Sequence, residues 1–356
     1  MTARHILTCA QTLDGGGVER AMLRLATRWA AAGRRVTIVI GCADGPLADE
    51  LPDGAETIVL GHRGYGALAR AIPAIVEDRA PDAVFCPGNH YTGVAAWTRL
   101  RLGRRCPPTI AKLSNTLHRA DHGPVARAVY RAWLRAHPRF CDAVVAMSAA
   151  MAAEAARHLH LPPDRIAVIA NPPAMPRADA LPVALPTGRY LLGVGRLAAQ
   201  KRWDRAIVAL AAIADRDIPL VILGEGPERA TLEALAARVG VAQRLLLPGH
   251  AGDPLPVMAG AAALVLTSDF EGVPGVLREA LSVGTPVVTT DSSVAIPEIV
   301  TTPALGSIVP RDDAAALAAA IDHWLAPGRA RPAPVSAGGD PAADYLALFD
   351  VLSAAS

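Results

Sequence analysis

The chain has 356 residues, 52% of them apolar and 19% charged, which is long enough for two ordinary domains and too apolar for a disordered one. Its net charge of +2 conceals an asymmetry: residues 1–170 carry 21 basic and 14 acidic side chains, residues 171–356 carry 14 and 19. The first half is therefore the one suited to an anionic surface or substrate. No nucleic-acid partner is expected.

The N-terminus enters a strand-like run, "HILTCA", without a signal-peptide pattern, and with it comes the expectation of a cytoplasmic protein. Five widely spaced cysteines without a C-x-x-C fit the same reading, as reduced and mostly buried thiols. "VERAMLRLATRWAAAG" follows as a helix closed by Gly33. The short apolar runs "RRVTIVIG", "DAVFCP", "PTIAKLS", "DAVVAMS" and "RIAVIAN" have the length and lack of alternation of buried parallel strands. "NPPAMPRADALPVALPTG" has five prolines in eighteen residues and no periodicity, and reads as a linker over 172–188. The alternation then resumes with "RYLLGVG", "IPLVILGEG", "RLLLPGH", "ALVLTS" and "TPVVTTD". The fold expected is α/β, with two tandem Rossmann-like doubly wound domains, 1–171 and 189–326, facing a cleft. A tail over 327–356 ends in a helix, "DPAADYLALFDVLSAAS", that can return to the first domain. The longest apolar run, near Leu264, is broken by glycine, so no membrane span is expected.

Ligands of such sheets bind at the carboxyl ends of the strands, so the strand-to-helix loops should carry the chemistry. "TLDGGGVER" places glycines ahead of a helix N-terminus, an arrangement that lets backbone approach an anion. "GVGRLAAQK" ends a strand at Gly193 and Gly195 and adds Arg196 and Lys201. Of 35 basic residues only Lys112 and Lys201 are lysines. A compact ammonium reaches a single phosphate oxygen where the arginine fork is too wide, which is a reason to keep lysine here. "LGEGPERATLEALAARVG" is a glycine turn and a well-capped helix. Asp215-Arg216-Asp217 imitates a metal-binding pattern but stands at a helix end, as a solvated turn. In "TSDFEGVPGVLREALSVGTPVV", Glu271 precedes a helix starting near Val276, and Glu279 lies in that helix's first turns. The two carboxylates are too far apart to share a proton, but they can each accept hydroxyl hydrogen bonds from one elongated ligand.

The stretch "FEGVPGVLREALSVGTPVV" resembles the E-x7-E signature of retaining glycosyltransferases of family 4. "GGGVER", "GVGRLAAQK" and "LGEGPE" are similar to further motifs of that family in the same order. The resemblance implies the GT-B fold, transfer of a hexose-type sugar with retention, and a nucleotide-sugar donor, UDP- or GDP-linked, as substrate, with no separate cofactor and no metal. Arg196 and Lys201 would then neutralise the leaving diphosphate, with Glu271 on the donor sugar as the third catalytic residue. Glu279 would bind the ribose hydroxyls, and Gly195, Gly272, Val273, Pro274 and Gly275 would line the donor. Gly16 and Gly17 would approach it from the first domain, and Leu247 to His250 would border the base. On the acceptor side stand Asn89, His90, Asn115 and His118; a histidine often found at this place is replaced by Ser114 or Asn115. Arg202 stands where a glycine commonly follows the lysine, and "DSSVAIPEIV" lacks the glycines common before Glu298.

The resemblance further implies a glycan or lipid-linked acceptor in cell-envelope polysaccharide or glycolipid synthesis. Residues 99–139 carry ten basic side chains and one acid, Asp121. Within them, "GPVARAVYRAWLRAH" is a predicted helix with Arg127, Arg131 and Arg135 on one face and Ala126, Val129, Tyr130 and Trp133 roughly opposite. An ordinary helix with its apolar face inward accounts for this pattern. A peripheral contact of 124–137 with the anionic inner face of a membrane does so too. Three alternatives compete. "GVGRLA" fits a dinucleotide fingerprint and an NAD-type oxidoreductase, but the ribose-binding acid is missing at the required distance. A GT-B sugar-nucleotide epimerase would share the fold, and a sugar-binding module would need an export signal.

Overall fold

The computed structural model describes residues 2–117, 123–174, 183–336 and 338–355. They form two compact units, residues 1–172 with 339–356 and residues 173–338. Of the linker reading, 175–182 lie outside the described residues, as do His118 and Asp121.

The first unit alternates strand and helix: β1 (His5–Thr12), α1 (Gly17–Ala31), β2 (Arg35–Cys42), β3 (Glu56–Val59), α2 (Tyr65–Arg79), β4 (Ala83–Cys86) and α3 (Thr92–Leu102). It continues with β5 (Thr109–Lys112), α4 (Pro124–Ala136), β6 (Ala143–Ala146), α5 (Ala149–Leu159) and β7 (Ile166–Val168). The seven strands are all parallel, in the order β3-β2-β1-β4-β5-β6-β7. Strands buried on both faces have no polar alternation, and β4, β5 and β6 are buried at every residue. The edge strand β3 is different: its residues are half-buried and exposed in alternation, so it lacks the continuous apolar run that marks its neighbours. Gly33 takes φ +80 and donates its N–H to the Ala30 carbonyl, closing α1.

The second unit repeats the plan with β8 (Leu191–Val194), α6 (Trp203–Ala212), β9 (Leu220–Leu223), α7 (Arg229–Arg238), β10 (Leu245–Gly249) and α8 (Leu255–Gly260). Then come β11 (Ala263–Leu266), α9 (Gly275–Ser282), β12 (Val287–Thr290), α10 (Ile296–Ile299), β13 (Gly306–Val309) and α11 (Ala314–Leu325). Six parallel strands run β10-β9-β8-β11-β12-β13. The turn at Asp215 is an Asx turn, whose carboxylate accepts the N–H groups of Asp217 and Ile218 at 3.1 Å each.

The last helix, α12 (Pro341–Ala354), belongs to the first unit. Its Tyr345 and Phe349 pack edge-on against Trp29 of α1, with ring centroids 5.9 and 5.1 Å away, and Phe85 of β4 completes the cluster. All four rings are at most 1% exposed.

Helix α4 departs from the expected inward apolar face. Val125 and Val129 are 77% and 66% exposed, Ala126 is exposed, and Tyr130 and Trp133 are half-buried. Arg131 and Arg135 are exposed, whereas Arg127 is half-buried. Only Leu134 of this helix is buried. The helix is tilted so that valines and arginines share the outer surface. Among the described residues no helix is long and apolar enough to cross a membrane.

Candidate active site

At the carboxyl end of β8 the chain runs over the indole of Trp203. A side chain on Gly193 would place Cβ 2.7 Å from that ring, and the indole N–H donates to the Arg196 carbonyl at 2.9 Å. Gly195 takes φ +153, and the stem of Lys201 crosses it, its Cε lying 3.2 Å from where a Cβ would stand. This close approach delivers the ammonium to Glu271. Lys201 Nζ donates to Glu271 Oε1 at 2.6 Å, and Ser268 Oγ donates to the same oxygen at 2.6 Å. The paired side chains are only 19% and 12% exposed. An ammonium carries three N–H donors, and Glu271 occupies one, so two remain for a ligand. Arg196 is exposed, and its guanidinium has no hydrogen bond or ion pair among the described residues.

The loop that carries Glu271 is held from both sides. Gln200 Nε2 donates to the Phe270 carbonyl at 2.7 Å, and the Asp269 N–H donates to the Gln200 carbonyl at 2.9 Å. Glu271 N–H donates to the Ser292 carbonyl at 2.8 Å, and the Ser293 hydroxyl donates to the Gly272 carbonyl. The segment "DSSVAIPEIV", which lacks the family's glycines, thus braces the Glu271 loop through its serines. Gly272, Val273 and Pro274 are buried, and α9 begins at Gly275 with no side-chain cap, which leaves first-turn N–H groups for an anion. Glu279 is half-buried one turn further on.

Arg202 occupies the left-handed region, φ +49, which explains why glycine suits this position. The strain is offset by ion pairs from Arg202 to Asp204 at 2.9 Å and to Asp269 at 3.2 Å. The third loop rides directly on the second. Added Cβ atoms on Gly224 and Gly226 would lie 2.1 Å from the Gly195 carbonyl oxygen and 2.3 Å from that of Leu197. Arg229 donates to both oxygens of Glu225, and its hydrogen bond is the main force holding that carboxyl below its usual range. The same guanidinium reaches the Leu247 carbonyl at 2.9 Å, and the Gly224 N–H donates to the Gly249 carbonyl at 2.8 Å. Leu247 and the exposed His250 are thereby tied to the loops of β8 and β9.

In the first unit α1 opens at Gly17 behind Gly16, again without a side-chain cap. Gly17 faces open space, with nothing within 4 Å of its would-be Cβ, whereas a Cβ on Gly16 would lie 2.0 Å from a Glu19 carboxylate oxygen. Glu19 in turn accepts the Tyr91 hydroxyl at 2.8 Å. Asn89 and Asn115 come together: Asn89 Oδ1 accepts the Ser114 N–H at 2.7 Å and its Nδ2 donates to the Asn115 carbonyl at 3.3 Å. His90 is exposed beside them. His118 lies outside the described residues. Lys112 ends β5 at 2% exposure, and burial pulls its ammonium down to about 8, against the pull of Glu19.

Several of these residues escaped the sequence reading. Ser268, Gln200 and Ser293 had no signal in spacing or composition. Lys112 did carry one, the same scarcity of lysine that singled out Lys201, and Glu19 lies inside the quoted "GGGVER".

Two parallel six- and seven-stranded α/β sheets, with glycine-rich loops and a paired Lys–Glu at the strand ends of one, define a glycosyltransferase of the GT-B fold. Residues 15–172 match the family model "Glycosyltransferase Family 4", and residues 188–326 match "Glycosyl transferases group 1". The chain belongs to the group 1, family 4 glycosyltransferases. Among solved structures it is similar to WaaG, a glycosyltransferase involved in lipopolysaccharide biosynthesis, with TM-score 0.69, 19% identity and 90% of each chain covered. It is also similar to Anabaena Alr3699/HepE in complex with UDP-glucose, with TM-score 0.71, 18% identity, and 98% of this chain and 95% of the other covered. By sequence it is 39% identical over 98 residues to a 2-deoxystreptamine glucosyltransferase of Streptomyces kanamyceticus, covering 26% of this chain and 25% of that one. It is 38% identical over 127 residues to a GDP-mannose-dependent phosphatidylinositol dimannoside mannosyltransferase of Mycobacterium tuberculosis, covering 33% and 31%. The matched stretches thus span a quarter to a third of the length of these two relatives.

Proposed function

We propose that the chain transfers a hexose-type sugar, with retention, from a UDP- or GDP-linked donor to a glycan or lipid-linked acceptor of cell-envelope polysaccharide or glycolipid. The observation that carries this reading is the Lys201–Glu271 pair at the strand ends of the second unit. Glu271 holds the ammonium in place before any ligand arrives. Lys201 offers its two remaining N–H groups to the diphosphate, and the exposed Arg196 adds a second cation. Glu271 and the Gly272–Gly275 loop receive the donor sugar, Glu279 the ribose and the Leu247–His250 segment the base. In the first unit the uncapped turn at Gly16 and Gly17 offers helix N–H groups to an anion, and Asn89, His90 and Asn115 serve the acceptor.

The bond from the anomeric carbon to the phosphate oxygen breaks as the acceptor oxygen bonds to that carbon on the same face. The acceptor proton passes to the departing phosphate oxygen. This chemistry asks the protein for orientation and neutralisation of developing negative charge, and a preorganised cation supplies the second. Support for the donor class comes from UDP-glucose in the Anabaena neighbour and from GDP-mannose in the mycobacterial relative's name. A thermal-shift panel of UDP, GDP and ADP with their sugars tests it. Stabilisation by UDP or by GDP and not by ADP is expected, and stabilisation by ADP alone, or no shift with any of them, refutes it.

The outer face of α4 supports a peripheral site on an anionic membrane as part of the same function, because exposed Val125 and Val129 stand beside exposed Arg131 and Arg135. Co-sedimentation with anionic liposomes should fall with salt and fall further when Arg127, Arg131 and Arg135 become Gln. Binding that is absent at low salt, or unchanged in the triple variant, refutes it.

A further inference from the structure

The second unit carries a cavity of about 320 Å³ far from the donor loops. Arg189 precedes β8, Gly260 to Ala262 precede β11 and Pro286 precedes β12, so the cavity sits at the amino ends of these parallel strands. Lys201 and Glu271 belong to loops that leave the carboxyl ends of the same sheet. Three arginines line the cavity, Arg189, Arg329 and Arg331, and none of its described lining residues is acidic. None of the three makes an ion pair with a carboxylate among the described residues.

Their guanidiniums are held in place by neutral groups. Arg331 donates to the carbonyls of Gly284 and Ala261 at 3.1 and 2.8 Å and to the Thr285 hydroxyl at 2.6 Å. Arg189 donates once, to the Leu325 carbonyl at 2.8 Å. Arg329 lies flat over the Trp324 indole, 4.5 Å from the ring centroid. Each guanidinium has five N–H donors, and because Arg189 and Arg329 are exposed, most of theirs face solvent and are open to a ligand. Three exposed like charges around one open pocket repel only weakly through water, and an anion placed among them turns that interaction attractive. Planar forks match phosphate oxygens two at a time, which a lone ammonium cannot do. A volume near 320 Å³ lies at the small end of ligand sites and holds more than a bare ion.

We propose that this cavity binds a small soluble phosphate monoester, remote from the donor and without competing with it. Arg329 and Arg189 supply the contacts, and Arg331 fixes the wall.

Calorimetry on the full chain with inorganic phosphate and with glycerol 3-phosphate tests this, alongside vesicles containing phosphatidic acid, which presents the same headgroup on a lipid. Glycerol 3-phosphate should bind more tightly than inorganic phosphate. Binding should weaken at least tenfold in Arg189→Gln/Arg329→Gln and in Ala330→Glu, which sets a carboxylate into the wall. It should persist in Lys201→Ala and in protein saturated with nucleoside diphosphate. Unchanged unfolding midpoints keep the two cavity variants interpretable, and Arg331 is left intact because it anchors main chain. Loss of binding in Lys201→Ala with retention in the arginine pair would assign the phosphate to the donor site and overturn the proposal. So would binding to vesicles alone, or no binding of either phosphate at millimolar concentration.

Discussion

Replacing Lys112 by methionine removes a buried ammonium while keeping a flexible stem of similar length. Burial lowers this group from 10.5 to about 8, a cost to folding of about 3 kcal/mol. The folded state binds the proton less readily than the unfolded chain. The penalty is therefore fully present below pH 8 and fades as pH rises toward 10.5. From pH 7 to pH 10 the wild type should gain stability relative to the variant, on the order of 2 kcal/mol, with less than that reached by pH 9. Burial acts in the opposite sense on thiols, raising Cys9 well above its usual value and Cys86 to about 12, so their contribution is lost at high pH. The comparison of Lys112→Met with wild type at each pH cancels that common term. All five cysteines lie in the first unit, so urea unfolding of that unit alone can be followed by pulsed thiol labelling of Cys9, Cys86 and Cys141. A stability difference between the two proteins that stays constant from pH 7 to 10 would refute the reasoning.

Lys201→Ala should lower donor turnover by about two to three orders of magnitude, the usual loss for one electrostatic stabiliser, with only partial recovery in Lys201→Arg; near-normal release of nucleoside diphosphate would contradict this. Because Lys201 and Glu271 touch, Lys201→Ala and Glu271→Gln should be non-additive in a double-mutant cycle, whereas additive losses would deny a joint role. Glu279→Ala should weaken bare nucleoside diphosphate in calorimetry, while Glu271→Ala should weaken the sugar donor by more than it weakens the bare diphosphate, whose loss there comes only through the released Lys201; equal losses for donor and bare diphosphate in Glu271→Ala would remove its role at the sugar. In the aromatic cluster, Phe349→Ala should cost about 3–5 kcal/mol in urea unfolding. Tyr345→Phe should cost nothing or stabilise, because the buried Tyr345 hydroxyl has no partner among the described residues; a large loss in Tyr345→Phe would expose a missing hydrogen bond.

What the chain makes legible follows from which forces are local. Doubly buried strands such as β4 and β11 announce themselves by unbroken apolar runs, and the partly exposed edge strands β7 and β10 keep enough of such a run to be read, but β3 and β13, with Glu56, Thr57 and Ser307 among four residues each, do not. Lys201 and Glu271 could each be singled out, one by the rarity of lysine and the other by its loop. Their direct pairing across 70 residues is a product of tertiary folding and leaves no mark on spacing. The same holds for Ser268, Ser293 and the seat of Gly224 against the Gly195 carbonyl. Helix α4 shows the opposite failure: its period is real, but periodicity says which residues share a face and not which face meets the core. The left-handed turn at Arg202 was invisible because a residue type discloses its dihedral preference only when it is glycine or proline.

The first unit is discontinuous, interrupted after residue 172 and completed only by residues 339–356. A ribosome that has made β1 to β7 must still translate the whole of 173–338 before the rings of Tyr345 and Phe349 exist to cover Trp29 and Phe85. At ordinary elongation rates that interval lasts roughly 10–30 s, many times longer than hydrophobic collapse. The nascent first unit waits through it with an open apolar patch on α1. The second unit, contiguous in the chain, can finish first. Synthesis order and folding order are thereby inverted, and the last turns of the polypeptide act as the latch on the first.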